Sequence, residues 1–170
     1  NRIAFLGCNQ AGPESVWANE NEPGVAPCDL DDLSARLADL KARGYLSVVT
    51  LQYDESYRPR PTELQERFFR EVSAAGADIV SGSQAHFPQA FAFTDQGFIH
   101  YGPGNLFFDQ MDYPVVGTRR EFLVRYVIYA NRLAGIELLT ALLEDSAQPR
   151  PMTAEERRQF LEEYFAASGW

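Results

Sequence analysis

The 170 residues are 45% hydrophobic and 13% aromatic, enough for one normally packed domain, and carry a formal charge of −9. That charge, with the 15 Lys and Arg scattered along the chain, excludes a nucleic-acid partner, which needs clustered cations. No apolar run approaches the ~20 residues that cross a bilayer, and the opening NRIAFLGCNQ is not a signal peptide.

The chain starts without Met and inside what reads as a strand, Arg2 to Leu6, which implies a processed product, a domain, or the later part of something longer. Cys8 and Cys28 bound a long stretch rich in Pro, Gly, Asn and Glu, with no helical or strand period. The two thiols are either one disulfide or two buried cysteines, and sequence cannot choose. Asp29 or Asp31 caps a helix with Leu33, Leu37 and Leu40 at helical spacing, ended by Gly44. Tyr45 to Leu51 reads as a strand covered on both faces, and delivers QYDESY. After the Pro-punctuated turn Arg58 to Pro61, Thr62 opens a second helix with Leu64, Phe68 and Val72 on one face, ended by Gly76.

Asp78 to Ser81 is a short buried strand that Gly82 breaks into the loop SQAHFPQ. Right-handed crossovers make the three strands parallel neighbours, so QYDESY and SQAHFPQ share the carboxyl edge, where open α/β sheets bind ligands. Ala90 to Phe93 and Phe98 to Tyr101 form a hairpin through TDQG, with Gly97 expected at positive φ. GPGN follows, and Asn105 and Asp109 bracket an apolar Leu106, Phe107 and Phe108. EFLVRYVIYA and LAGIELLTALLE form an antiparallel hairpin turning at Asn131 and Arg132. A Pro-rich link then leads to a helix from Thr153, with Glu156 completing a capping box and Phe160, Leu161, Tyr164 and Phe165 on its apolar face. The expected fold is α/β: mixed sheets flanked by helices, a C-terminal antiparallel hairpin and a tail helix. The core spans residues 1–145, and residues 146–170 form a linker and docking helix.

Candidate site residues are Gln52, Tyr53, Asp54, Glu55, Gln84, His86, His100, Tyr101, Asn105 and Asp109. His100, between Ile99 and Tyr101, reads as a sheet residue. A catalytic zinc site needs about three His, Cys or carboxylate ligands, and the facing loops offer Gln52, Gln84 and His86, a poor set because an amide oxygen is a weak, neutral donor. The chain has no GxSxG, P-loop, HExxH or paired CxxC, which excludes the usual serine-hydrolase, nucleotide-hydrolysis and zinc-finger chemistries.

The ordered series VVTLQYDESY, RPRPTELQ, GADIVSGSQAHFPQ and IHYGPGNLFFDQ, preceded by PGVAPCDLDDLSARLADLKARG, resembles the CapA family of bacterial capsule and poly-γ-glutamate synthesis proteins. The resemblance covers roughly Asn1 to Val127 and implies the later part of a calcineurin-like metallophosphoesterase α/β sandwich. The earlier family segments, with the first aspartate and the asparagine–histidine motif of the metal site, have no counterpart in this chain. It also implies that Gln52, Gln84 and His86 converge, since family members carry histidine at all three positions and only His86 remains here.

Two expectations follow. In the first, the chain binds an acidic polymer or its small-molecule precursor through Gln52, Tyr53, Glu55, Gln84, Tyr101 and Asp109, without ordinary phosphatase chemistry. In the second, a metal-dependent phosphoesterase uses His86 as metal ligand or general acid and Asn105 to orient phosphate, its manganese, iron or zinc held with the help of an N-terminal segment. A catalytically empty scaffold for protein contacts is a third. The resemblance further implies an extracytoplasmic or cell-surface location and other polymer-synthesis subunits as partners.

Overall fold

A computed structural model describes residues 1–110, 116–145 and 148–170. Strand β1 (Ile3–Asn9) leads through a 20-residue excursion to helix α1 (Leu30–Ala42), then β2 (Leu46–Ser56), α2 (Glu63–Ala74) and β3 (Ile79–Ala85). The hairpin β4 (Phe91–Phe93) and β5 (Phe98–His100) follows, and then β6 (Arg120–Tyr129), β7 (Arg132–Glu144), β8 (Gln148–Pro151) and α3 (Ala154–Ala167). The first sheet has the order β1-β2-β3-β5-β4, parallel except for the β4–β5 pair, and the second is the antiparallel β6-β7-β8. The α/β class expected from sequence is the one observed.

The helix signals act where the sequence places them. Asp29 accepts from the Asp32 amide to cap α1, and Gly44 takes φ +74° after its end. Thr62 and Gln65 form a capping box on α2, as Thr153 and Glu156 do on α3. The buried face of α2 differs from the expected one. Leu64 is exposed, and Gln65, Phe69 and Val72 turn inward, because Gln65 gives its amide to the Gln89 side chain and the Tyr101 carbonyl. One buried amide network therefore rotates the helix away from its most apolar stripe.

Two glycines work differently from the sequence reading. Gly82 does not break β3, which runs on to Ala85. A Cβ there would lie 1.8 Å from the Tyr101 carbonyl oxygen, so the position admits no side chain. Gly97 is not at positive φ; a Cβ on it would meet the Asp78 carbonyl oxygen at 1.9 Å. The β6–β7 turn is made by Ala130 and Asn131, at φ 47° and 60°, one residue earlier than expected and with the twist that suits a two-residue hairpin.

Leu33 and Leu37 of α1 and Phe69 and Val72 of α2 cover one face of the first sheet, over Val49, Leu51, Val80 and Ile99. On the other face Leu46, Val48 and Ile79 meet Tyr126, Ile128 and Leu133 of the second sheet. β2 and β3 are thus covered on both sides, which explains their unalternating apolar sequence. Helix α3 lays Phe160 and Tyr164 against Phe122 of β6, with the Phe122 and Phe160 rings stacked at 4.5 Å. The Pro-rich link is strand β8, paired with β7, rather than a free linker. The domain boundary expected at 145/146 falls against residues 146–147, outside the described residues.

Cys8 and Cys28 form a disulfide closing the excursion between β1 and α1. That segment is further tied down where the Asn9 amide donates to the Ala26 carbonyl and the Gln10 amide to the Gln52 carbonyl.

Candidate functional site

The parallel pairing of β2 and β3 sets Gln52 opposite Ser83, and Ser56 opposite Ala85, so β2 bulges at its carboxyl end. Bulges of this kind re-aim side chains at sheet rims. On β3, Gln84 sits at φ +80°, a left-handed conformation uncommon outside Gly, Asn and Asp, and such strain gathers at functional positions. The two distortions bring the side chains together: Gln52 Nε2 donates to Gln84 Oε1 at 2.6 Å.

His86 follows two residues later, its amide bonded to the Ser56 carbonyl. Its ring lies between Tyr57, stacked at 5.5 Å, and Phe108, at 4.9 Å. Asn105, buried in the loop after GPG, places Oδ1 2.9 Å from His86 Nδ1. Asn105 Nδ2 donates to the Thr118 carbonyl at 3.0 Å and to Gln110 Oε1 at 3.1 Å. A backbone carbonyl only accepts, so the Thr118 contact fixes which end of the amide is nitrogen, and Oδ1 must be the acceptor from His86. His86 Nδ1 therefore carries a hydrogen. In the neutral ring Nε2 then holds the lone pair, and it has no partner among the described residues.

Around this pair, Tyr57 donates to Glu55 Oε1 at 2.6 Å and accepts from Gln110 Nε2 at 3.4 Å. Glu55 and Asp109 are exposed, Asp109 on the same loop as Phe108. Asp54 is engaged elsewhere, accepting from Thr62 Oγ1 at the start of α2. Tyr53 and Tyr101 stand apart from this rim, under α2: Tyr53 stacks on Phe68 at 5.2 Å and Tyr101 on Phe69 at 5.5 Å. His100 is wholly buried in β5 as a sheet residue, and burial pulls its imidazole down to about 4, against a smaller opposing influence of the Gln89 backbone.

Sequence reasoning passed over Tyr57, Phe108, Gln110 and Thr118 as partners of His86 and Asn105. Tyr57 closes the QYDESY segment, and its aromatic ring beside a strand-end loop was a usable signal. Gln110 and Thr118 lie 5 and 13 residues beyond Asn105, but their contacts follow no helical or strand period, so no local pattern announces them.

The donor set does not match a transition-metal centre. The rim offers one imidazole and two amides already bonded to each other, and no group of three or more His, Cys, Asp or Glu that could hold an ion occurs among the described residues.

Two packed sheets with polar side chains gathered at the carboxyl edge of parallel strands define an α/β protein, and that edge is where open α/β sheets generally bind their ligands. Residues 1–110 match the family of bacterial capsule synthesis proteins PGA_cap, and the chain belongs to that family. It is 29% identical over 157 residues to the capsule biosynthesis protein CapA of Bacillus anthracis, covering 90% of this chain and 37% of that protein. Over the same length it is 29% identical to the PGA biosynthesis protein CapA of Bacillus subtilis (strain 168), covering 92% of this chain and 40% of that protein. The chain thus spans about two fifths of the curated relatives it matches.

Proposed function

We propose that this chain serves bacterial capsule or poly-γ-glutamate biosynthesis by binding an acidic polymer, or its precursor, at the rim formed by Gln52, Gln84 and His86. The Gln52–Gln84 hydrogen bond carries this reading. Two amides in contact hold each other in place and keep further donor and acceptor sites for a carboxylate or a backbone amide of the polymer, whereas they are weak ligands for a metal. The overall charge of −9 opposes a polyanion, but Arg58, exposed and without a side-chain partner among the described residues, supplies local positive charge next to Tyr57. The Cys8–Cys28 disulfide supports an extracytoplasmic, oxidising location.

One observation favours a second reading. Asn105 holds the His86 ring in the orientation that a metal ligand or general acid needs, with Nδ1 bonded and Nε2 free. In that reading the chain is part of a metallophosphoesterase-like hydrolase whose remaining ligands come from elsewhere.

Titration with oligo-γ-glutamate, with and without chelator, separates the two. Binding that survives EDTA and weakens at least fivefold in a Gln52→Leu, Gln84→Leu double variant supports the polymer reading. Metal-dependent hydrolysis of a generic phosphodiester that disappears in His86→Ala supports the hydrolase and defeats the first.

A further inference from the structure

A cleft of about 290 Å³ that none of Gln52, Gln84 and His86 lines opens between the Arg58 to Pro61 turn, α2 and the end of α3, bordered by Arg60, Glu66, Arg70, Phe91, Tyr101 and Ala167 among others. Tyr101 is 2% exposed, and its hydroxyl is buried with no hydrogen-bond partner among the described residues. Buried hydroxyls are nearly always satisfied, so an orphan one at a cavity wall marks a place where something else supplies the partner. The cations are arranged to say what. Arg70 is held by Glu66 at 2.9 Å, while Arg60 has no side-chain partner among the described residues. The wall therefore carries one uncompensated positive charge in a protein of charge −9. Guanidinium groups only donate, and a phenol donates readily to an anion, so the complementary group is an oxyanion.

We propose that this cleft is a second binding site, for a carboxylate, in which the Tyr101 hydroxyl and the Arg60 guanidinium hold the anion. The volume suits a small carboxylate or one residue of a longer chain, and is too small for a nucleotide or an intact oligomer. Phe91 and Ala167 supply an apolar wall for the methylenes beside the carboxylate. The two possible sources, a free dicarboxylate and a side chain of a polymer, share this chemistry. The site does not depend on His86 or on the Gln52–Gln84 pair, so it stands or falls separately from the function proposed for the rim.

The test is a titration of the full chain with glutarate and with oligo-γ-glutamate, followed by NMR shifts and by the thermal midpoint. Glutarate is expected to move resonances of Tyr101, Arg60 and Phe91, with affinity at least fivefold weaker in Tyr101→Phe and tenfold weaker in Arg60→Gln. Tyr101→Phe keeps the ring on Phe69 and loses only an unpartnered hydroxyl, so the free variant should melt no lower than wild type. A larger loss of oligomer affinity than of glutarate affinity in Arg60→Gln assigns the cleft to a polymer side chain, and equal losses assign it to a free carboxylate. Unchanged glutarate affinity in both cleft variants, or a Tyr101→Phe protein that melts lower because the hydroxyl had an internal partner, overturns the proposal.

Discussion

Asn105 gives both of its amide hydrogens to acceptors other than His86, the Thr118 carbonyl and Gln110 Oε1, and so meets the His86 ring with oxygen alone at 2.9 Å. The neutral imidazole is thereby confined to one tautomer. Nitrogen-15 spectra of the neutral His86 ring should show Nδ1 protonated and Nε2 bare. Asn105→Ala should yield a mixture of tautomers and, by leaving the Thr118 carbonyl short of a donor, lose about 1–3 kcal/mol of stability. A single unchanged tautomer in the variant would show that the ring is held by Tyr57 and Phe108 instead.

If Gln52, Gln84 and His86 meet at one rim, placing imidazoles at positions 52 and 84 should create a metal site. Gln52→His combined with Gln84→His is expected to raise zinc affinity by roughly 100-fold over wild type, while either change alone does much less. Calorimetric zinc titration reads the difference directly. No gain in the double variant would mean that His86 Nε2 faces away from the amide pair.

The Cys8–Cys28 bond closes a loop of 20 residues in separation, which in the chain-entropy picture contributes about 3 kcal/mol. For a chain of this length that corresponds to a fall of roughly 6–12 °C in thermal midpoint on reduction. A Cys8→Ser, Cys28→Ser double variant should match the reduced protein and be indifferent to reductant. Because the Gln10 amide holds the Gln52 carbonyl, the same variant should also broaden the Gln52 and Gln84 side-chain amide resonances.

Two buried groups act on pH stability in opposite senses. His100 is lowered from 6.5 to about 4 by burial, so acidification through that window protonates the unfolded chain first and destabilises the fold. Glu121, 1% exposed with both oxygens unpartnered among the described residues, is raised from 4.5 to about 7, so its contribution is complete below 4.5 and fades as pH rises through 7. Each effect is at most about 3 kcal/mol. Urea midpoints between pH 4 and 8 should therefore slope differently in the variants: relative to wild type, Glu121→Gln loses stability toward acid, and His100→Gln loses it toward neutral pH. Parallel curves for all three proteins would contradict the assignment.

How far the sequence announced this structure differs from element to element. Helix caps at Asp29, Thr62 and Thr153, and the turns after Gly44 and Gly76, are local chemistry and were legible within a few residues. The parallel order β1-β2-β3 followed from handed crossovers. The inward face of α2 was not legible, since Gln65 is buried by acceptors 24 and 36 residues away. At the rim, sequence singled out Gln52, Gln84, His86 and Asn105, and the structure joins them as two hydrogen-bonded pairs. Tyr53 and Tyr101 show the opposite case: neighbours of motif residues in sequence, they project toward α2 because side chains alternate along a strand or its end.

The absence of a side chain at Gly82 reaches further than one strand. Its Cα lies against the Tyr101 carbonyl that also receives Gln65, and two residues beyond it β3 delivers Gln84. A single methyl added there would wedge β3 away from the loop that carries Tyr101, disturbing in one stroke the amide pair above and the cleft below. The sequence at this position has almost no room to vary.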